Sequence, residues 1–222
     1  MRDRVLRKSN VWSLAQARAF FLDHGFLRRI NNNNFHRISQ RAFRSGQPLP
    51  ADLERYVGRF GIRTVVSLRD AKRSRPYNEM TERMCWELGV SFHKLGFSSR
   101  RPPPAKRIHA AKELLEGIEY PALFHCKSGA DRAGVFSALY LHLIEGVPME
   151  ETRQLRFWPY GHIRRASTGL LDRFVDAYIE YAREHGGDFM TWVDEVYDRE
   201  AICEAAGSGA LDWVVDRVLR RE

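Results

Sequence analysis

Cysteine is scarce in this chain. Its 222 residues hold three, Cys85, Cys126 and Cys203. An odd and sparse set is no disulfide framework, and without a C-x-x-C pair there is no zinc-type spacing; no metal is expected. Reduced thiols in a reducing compartment are the default. Long apolar runs are also missing. No stretch approaches the ~18 consecutive apolar residues of a membrane span, so no transmembrane segment is expected. After the basic start MRDRVLRKSN, the stretch VWSLAQARAFFLDHGF is broken by Arg18, Asp23 and His24, a poor apolar region for a secretory signal. The expected compartment is the cytoplasm. Acidic residues are the third deficit, 28 against 36 Lys and Arg, for a formal net charge of +8. That balance favours anionic partners. The arginines are scattered rather than blocked, so no nucleic-acid partner is expected; oligomeric state is not legible.

Hydrophobic residues make up 44% of the chain, enough for a sizeable core. Residues 1–34 read as an amphipathic helical segment ended by the run Asn31 to Asn34, since Asn tolerates left-handed backbone. FHRISQRAFRSG (35–46) reads as two short strands about a turn. PLPADLERYVGRFG reads as a helix closed by Gly61. Then β-branched IRTVVSL (62–68), VSFHKLG (90–96) and PALFHC (121–126) read as strands. The helical patterns PYNEMTERMCWELG, AKRIHAAKELLEG and RAGVFSALYLHLIEG alternate with them. Such alternation predicts an α/β fold: a central, mostly parallel sheet flanked by helices. Beyond residue 146 only helical spacing follows, through MEETRQLRF, LLDRFVDAYIEYAREHG, DFMTWVDEVYDREAICEAAG and GALDWVVDRVLRRE. The expected division is an N-terminal helical segment (1–34), a main domain (35–182) and a C-terminal helical extension (183–222). Trp192, Val196, Trp213 and Val214 need cover, which favours packing the extension on the core.

The chemistry concentrates in HCKSGADRAG (125–134). This loop leaves a buried strand and enters a helix. Ligands of open α/β sheets bind at the carboxyl ends of strands, and a helix N-terminus with successive loop N–H groups makes an anion site. The same field favours a thiolate on Cys126, which in a phosphate cradle is a nucleophile for phosphorus. Arg132 offers a fork for two phosphate oxygens. A cysteine protease is disfavoured, because His125 and Cys126 point to opposite faces of one strand.

Cys126 and Arg132 with five residues between them, preceded by His125 and followed by Ala133-Gly134, resemble the signature of the cysteine-based protein tyrosine and dual-specificity phosphatases. AFRSGQP (42–48) and GIRTVVSLRD (61–70) resemble bacterial and atypical dual-specificity members. The likeness covers roughly residues 35–146. It implies the cysteine-phosphatase fold and a two-step, metal- and cofactor-free reaction. Cys126 attacks phosphate, a general acid protonates the leaving oxygen, and water releases the phosphocysteine. It implies His125 as the residue that orients the loop and tunes the thiolate, and it implies a substrate-binding set of His125, Lys127, Ser128, Gly129, Ala130, Ala133, Gly134 and Arg69. Arg69 resembles an arginine that contacts phosphate or holds the loop. Lys127 resembles a lysine of lipid-type phosphatases.

Two departures stand out. Family members usually carry Ser or Thr after the arginine, a hydroxyl that assists breakdown of the phosphoenzyme; here the residue is Ala133. They also commonly carry an Asp some thirty residues before the cysteine, but LGFSSRRPPP (95–104) holds no acid. Asp131, inside the loop, and Asp70, after VVSL, are the two replacements as acid. The expected substrate is a phosphorylated protein, with phosphotyrosine or dual specificity. The alternatives are a phosphoinositide, inositol phosphate or other lipid phosphate, and a weakly active phosphate-binding pseudophosphatase. WPYGHIRRASTG (158–169) reads as a connecting loop whose aromatics and Arg164 and Arg165 could line the pocket.

Overall fold

The computed structural model describes residues 32–69, 74–164 and 169–208. Nearly all of the N-terminal helical segment lies outside them, as do Asp70, Arg165, Trp213 and Val214. Five strands form one sheet: β1 (His36–Arg37), β2 (Ala42–Ser45), β3 (Thr64–Ser67), β4 (Ser91–Lys94) and β5 (Ala122–His125), in the order β1-β2-β5-β3-β4. β2, β5, β3 and β4 run parallel, and β1 pairs antiparallel with β2. The register sets Ser45 and Ser67 on either side of His125, so the carboxyl ends of three strands finish level. The expected α/β architecture is the one observed.

Alternation along the central strands divides the core in two. Phe43, Val65 and Leu123 point to one face, under helices α1 (Pro50–Phe60) and α2 (Arg75–Leu88), whose Leu53, Tyr56 and Cys85 meet them. Ala42, Val66 and Phe124 point to the other. There they meet α3 (Ala105–Gly117) and α4 (Asp131–Leu143). Both faces are covered, so α4 itself is buried along most of its length, from Ala133 to Leu141.

The segment after α4 departs from its helical reading. Only α5 (Met149–Thr152) forms from MEETRQLRF, because Arg153 takes left-handed backbone at φ 49° and turns the chain. The remaining helices are α6 (Leu170–His185), α7 (Phe189–Glu195) and α8 (Arg199–Ser208). The expected boundary at 182 falls inside α6. Phe174 and Tyr178 of α6 pack edge-on to Phe189 of α7, and with Trp192 they join the same core as Phe124 and Phe136. Polar ties reinforce this packing: His109 of α3 bonds Asp194 at 2.6 Å, and the Tyr197 hydroxyl donates to the Pro103 carbonyl at 2.8 Å.

A Trp192→Ala variant should therefore lose about 3–5 kcal/mol in a single urea transition that includes the sheet. A separate early transition for the C-terminal helices would show that they fold apart from it.

Candidate active site

The loop 126–130 bridges β5 and α4 at the level end of the sheet. Its first amide, on Cys126, donates to Ser45 O at 3.4 Å, and Leu68 N donates to His125 O at 2.8 Å. The chain then has to turn sharply beneath Gly46. Gly129 does this at φ 77°, where a Cβ would sit 2.6 Å from the Gly46 nitrogen; only glycine fits both the conformation and the space. The turn aims the Gly129 N–H at Cys126 Sγ, 3.2 Å away. Cys126 is buried, 1% exposed. Helix α4 starts at Asp131, directly after this turn, and a helix N-terminus carries unpaired amides.

Arg44 on β2 holds this loop from behind. It is wholly buried. Its Nη2 donates to Gly129 O and Ala130 O, both at 2.7 Å. Its Nη1 donates to Gln154 O and Oε1, at 2.8 and 2.9 Å, and its guanidinium lies 4.0 Å over the Tyr160 ring. With two loop carbonyls drawn outward, the Gly129 N–H is left to face the cysteine. Burial lowers the Arg44 pKa to about 10, against the opposing pull of Tyr160, Cys126 and Asp131, so the charge persists at neutral pH. Gly134 makes room for this anchor: a Cβ there would come within 2.9 Å of Gln154 O and 3.2 Å of Arg44 Nη2.

Two more arginines approach the loop. Arg69, 4% exposed, donates from Nη1 to Gln47 Oε1 at 3.0 Å and stacks 3.9 Å over Tyr77. The Nε of Arg132 is buried and has no hydrogen-bond partner among the described residues. His125 lies beneath the loop, fully buried; burial first, then the charge of Arg69, depresses its pKa to about 3. It is therefore a neutral imidazole.

At the rim, the Asp131 carboxylate accepts from His162 Nδ1 at 2.8 Å, and His162 Nε2 bonds Asp172 Oδ2 at 2.7 Å. His162 is 1% exposed. Burial alone would lower its pKa, but the bonds to Asp131 and Asp172 outweigh that and raise it to about 9. Asn34, in left-handed backbone at φ 52°, ties this rim to the loop: its Nδ2 donates to Ser128 O at 3.0 Å and Tyr160 O at 2.9 Å.

The structure thus gathers Cys126, Lys127, Ser128, Gly129, Ala130, Asp131, Arg132, Ala133 and Gly134 into one loop and helix turn, with His125 and Arg69 below it. Asp70 lies outside the described residues. Ala133 is fully buried and presents a methyl where a hydroxyl is usual. Sequence reasoning missed Arg44, Asn34, His162 and Asp172. A charged residue inside the apolar-flanked AFRSG was a signal for the first; His162 lies in an irregular segment with no period to read.

A family model described as the tyrosine phosphatase family matches residues 30–154. The inositol diphosphatase DSP2 of Oryza sativa subsp. japonica is 30% identical over 106 residues, 46% of this chain and 50% of the relative. The chain thus spans about half the length of that curated relative. Among solved structures, Tk-PTP superposes with a TM-score of 0.52 at 17% identity, over 68% of this chain and 97% of the other. TpbA of P. aeruginosa, solved in complex with pTyr, gives 0.50 at 20% identity, over 77% and 91%. At these identities the two structures bear on the fold alone.

Removing the anchor should release the loop. Arg44→Met removes the side-chain donor from the carbonyls of Gly129, Ala130 and Gln154, of which Ala130 keeps the Gly134 N–H, and a loss of about 2–4 kcal/mol in urea melts is expected, with weaker tungstate binding by calorimetry. His162 makes stability pH-dependent. The folded state holds its proton up to about 9 while the unfolded chain releases it near 6.5. Its contribution is full below pH 6.5 and is lost as pH rises through 9. The stability difference between wild type and His162→Asn should shrink across that window.

Proposed function

The chain belongs to the tyrosine phosphatase family, and we propose that it hydrolyses phosphate monoesters through a phosphocysteine on Cys126, without a metal, on phosphotyrosyl or dual-specificity phosphoprotein substrates. The observation that carries this reading is the Gly129 N–H donated to Cys126 Sγ at 3.2 Å, in a loop whose carbonyls are drawn back onto Arg44. Such a loop offers donors and positive charge, the complement of a phosphate.

In the first step the Cys126 thiolate attacks phosphorus, the S–P bond forms and the bond to the leaving oxygen breaks. The loop amides from Lys127 to Arg132 and the Arg132 guanidinium hold the equatorial oxygens as charge builds. Asp131 supplies the proton that the leaving oxygen needs. In the second step water attacks phosphorus, its proton returns to Asp131, and the S–P bond breaks. Ala133 gives the departing sulfur no hydroxyl, so the second step is the slower one. His125 and Arg69 support the loop from below. Lys127 adds positive field at its rim.

Phe157, Trp158 and Ile163 are 70%, 83% and 52% exposed on the segment that carries Tyr160 and His162. An apolar, aromatic rim beside a phosphate loop suits an aryl phosphate better than a bare polyanion, in line with TpbA having been crystallised with pTyr. The rice relative's name makes inositol diphosphate the comparison substrate.

The test is hydrolysis of phenyl and 4-nitrophenyl phosphate in chelator and reductant. Wild type should turn over and Cys126→Ser should not, while still binding tungstate. Asp131→Asn should lose about 100-fold or more on phenyl phosphate and far less on the activated ester. Equal losses on both esters would remove Asp131 as the acid, and activity in Cys126→Ser would remove the phosphocysteine. Phosphotyrosyl peptides should outrun inositol diphosphate.

A further inference from the structure

The loop aspartate does not stand alone. Its carboxylate, 20% exposed at the side chain, is gripped by a histidine that is 1% exposed, and that histidine is gripped in turn by Asp172, 7% exposed at its side chain. Both ring nitrogens thus meet a carboxylate oxygen, at 2.8 and 2.7 Å. Carboxylates only accept, so this ring donates from both nitrogens, as an imidazolium does. Three elements supply the chain: Asp131 opens α4, His162 comes from the irregular segment before α6, and Asp172 lies in the first turn of α6. A helix N-terminus favours a carboxylate at each of the two acidic positions. Without His162 two carboxylates would face one buried space.

We propose that His162 is a positioning residue for Asp131: with Asp172 behind it, it fixes the direction of the loop carboxyl and stores the proton that Asp131 delivers to the leaving oxygen. The inference rests on Asp131 being the acid.

The proton balance closes over the two steps. At rest the Asp131–His162 pair holds one proton, on Nδ1. As the bond to the leaving oxygen breaks, the Nδ1 proton passes to the Asp131 carboxylate and from it to the leaving oxygen, leaving Asp131 ionised and a neutral ring that still donates from Nε2 to Asp172. When water attacks the phosphocysteine, its proton goes to Asp131 and on to Nδ1. Nothing is oxidised or reduced, and the triad ends as it began.

The arrangement also sets the pH range. An isolated loop aspartate loses its proton at about 4 and holds little acid at neutral pH. Paired with His162, whose proton is held to about 9, the site keeps a transferable proton through neutrality. Other charges near the triad are Arg44, which acts on Asp131 from the loop side, and Asp176, which acts on Asp172 from the α6 side and is itself paired with Arg164 beside Arg173.

The test compares wild type, His162→Asn, Asp172→Asn and Asp131→Asn on substituted phenyl phosphates from activated to poor leaving groups, with kcat/KM followed from pH 5 to 10. Tungstate binding reports that the loop is intact. Wild type should keep its activity on poor leaving groups up to the alkaline limb. In His162→Asn that limb should move several pH units to the acid side for poor leaving groups only. At neutral pH kcat/KM should fall about 100-fold on phenyl phosphate and only a few-fold on the activated ester. Asp172→Asn should shift the limb in the same direction by less. If His162→Asn no longer binds tungstate, Asp172→Asn carries the test with the same two outcomes. A wild-type pH profile and leaving-group dependence in the folded variants, beside a loss in Asp131→Asn, overturns the role of His162 and leaves Asp131 as the acid. No leaving-group dependence in Asp131→Asn overturns the reading of Asp131 itself.

Discussion

Arg44 carries a positive charge into the protein interior and spends its hydrogen bonds on carbonyl oxygens. Burying a cation is unfavourable unless its donors are met; both terminal nitrogens of Arg44 are met, Nη2 by the carbonyls of Gly129 and Ala130, while its Nε has no partner among the described residues. That choice fixes the face of the loop. Carbonyls turned outward leave amides turned inward, and amides converging on one point make an anion site. The tight features nearby follow from the same contact: Gly134 makes room for the Gln154 carbonyl beside the guanidinium, and Tyr160 covers it.

The sheet was legible because it obeys local rules. A β-branched run after Gly61 gave β3 and an apolar run after Pro121 gave β5, each to within two residues, and glycines at positive φ end α1, α2 and α6 where the pattern stops. The loop was legible because a strand, a cysteine, a glycine, an arginine and a helix in that order have one economical chemical use. What stayed hidden is the support. Asn34 and Gln154 act on residues about a hundred positions away or more, and His162 meets α4 and α6 only after the chain has folded. Side chains in irregular segments carry no period, so their partners are set by tertiary packing that a sequence does not display. The expected long helix over 149–157 failed for the same reason: its residues turn instead to complete the Arg44 anchor.

The C-terminal helices bear on the site as well as on stability. The segment 95–104 holds no carboxylate, and it is tied down at its far end. The Pro103 and Pro102 carbonyls accept from Tyr197 and Arg199, and Arg101 pairs with Glu200 at 2.6 Å. A segment clamped in this way is a wall and not a moving carrier of a proton. With Asp131 as the proposed acid, the proton function falls to a residue already at the loop, and its neighbours His162, from the segment before α6, and Asp172, from α6, become part of the proposed chemistry. Loss of an acid in one segment and a buried carboxylate–imidazolium–carboxylate chain in another are two sides of one arrangement.

The central claim is that Cys126 becomes covalently phosphorylated in turnover. Rapid acid quench during hydrolysis of 4-nitrophenyl phosphate, followed by mass spectrometry of the peptides, tests it directly. The account predicts one phosphate on the peptide holding Cys126, appearing with the burst of nitrophenol and persisting because Ala133 slows its release. Steady turnover with no phosphate on that peptide would contradict it.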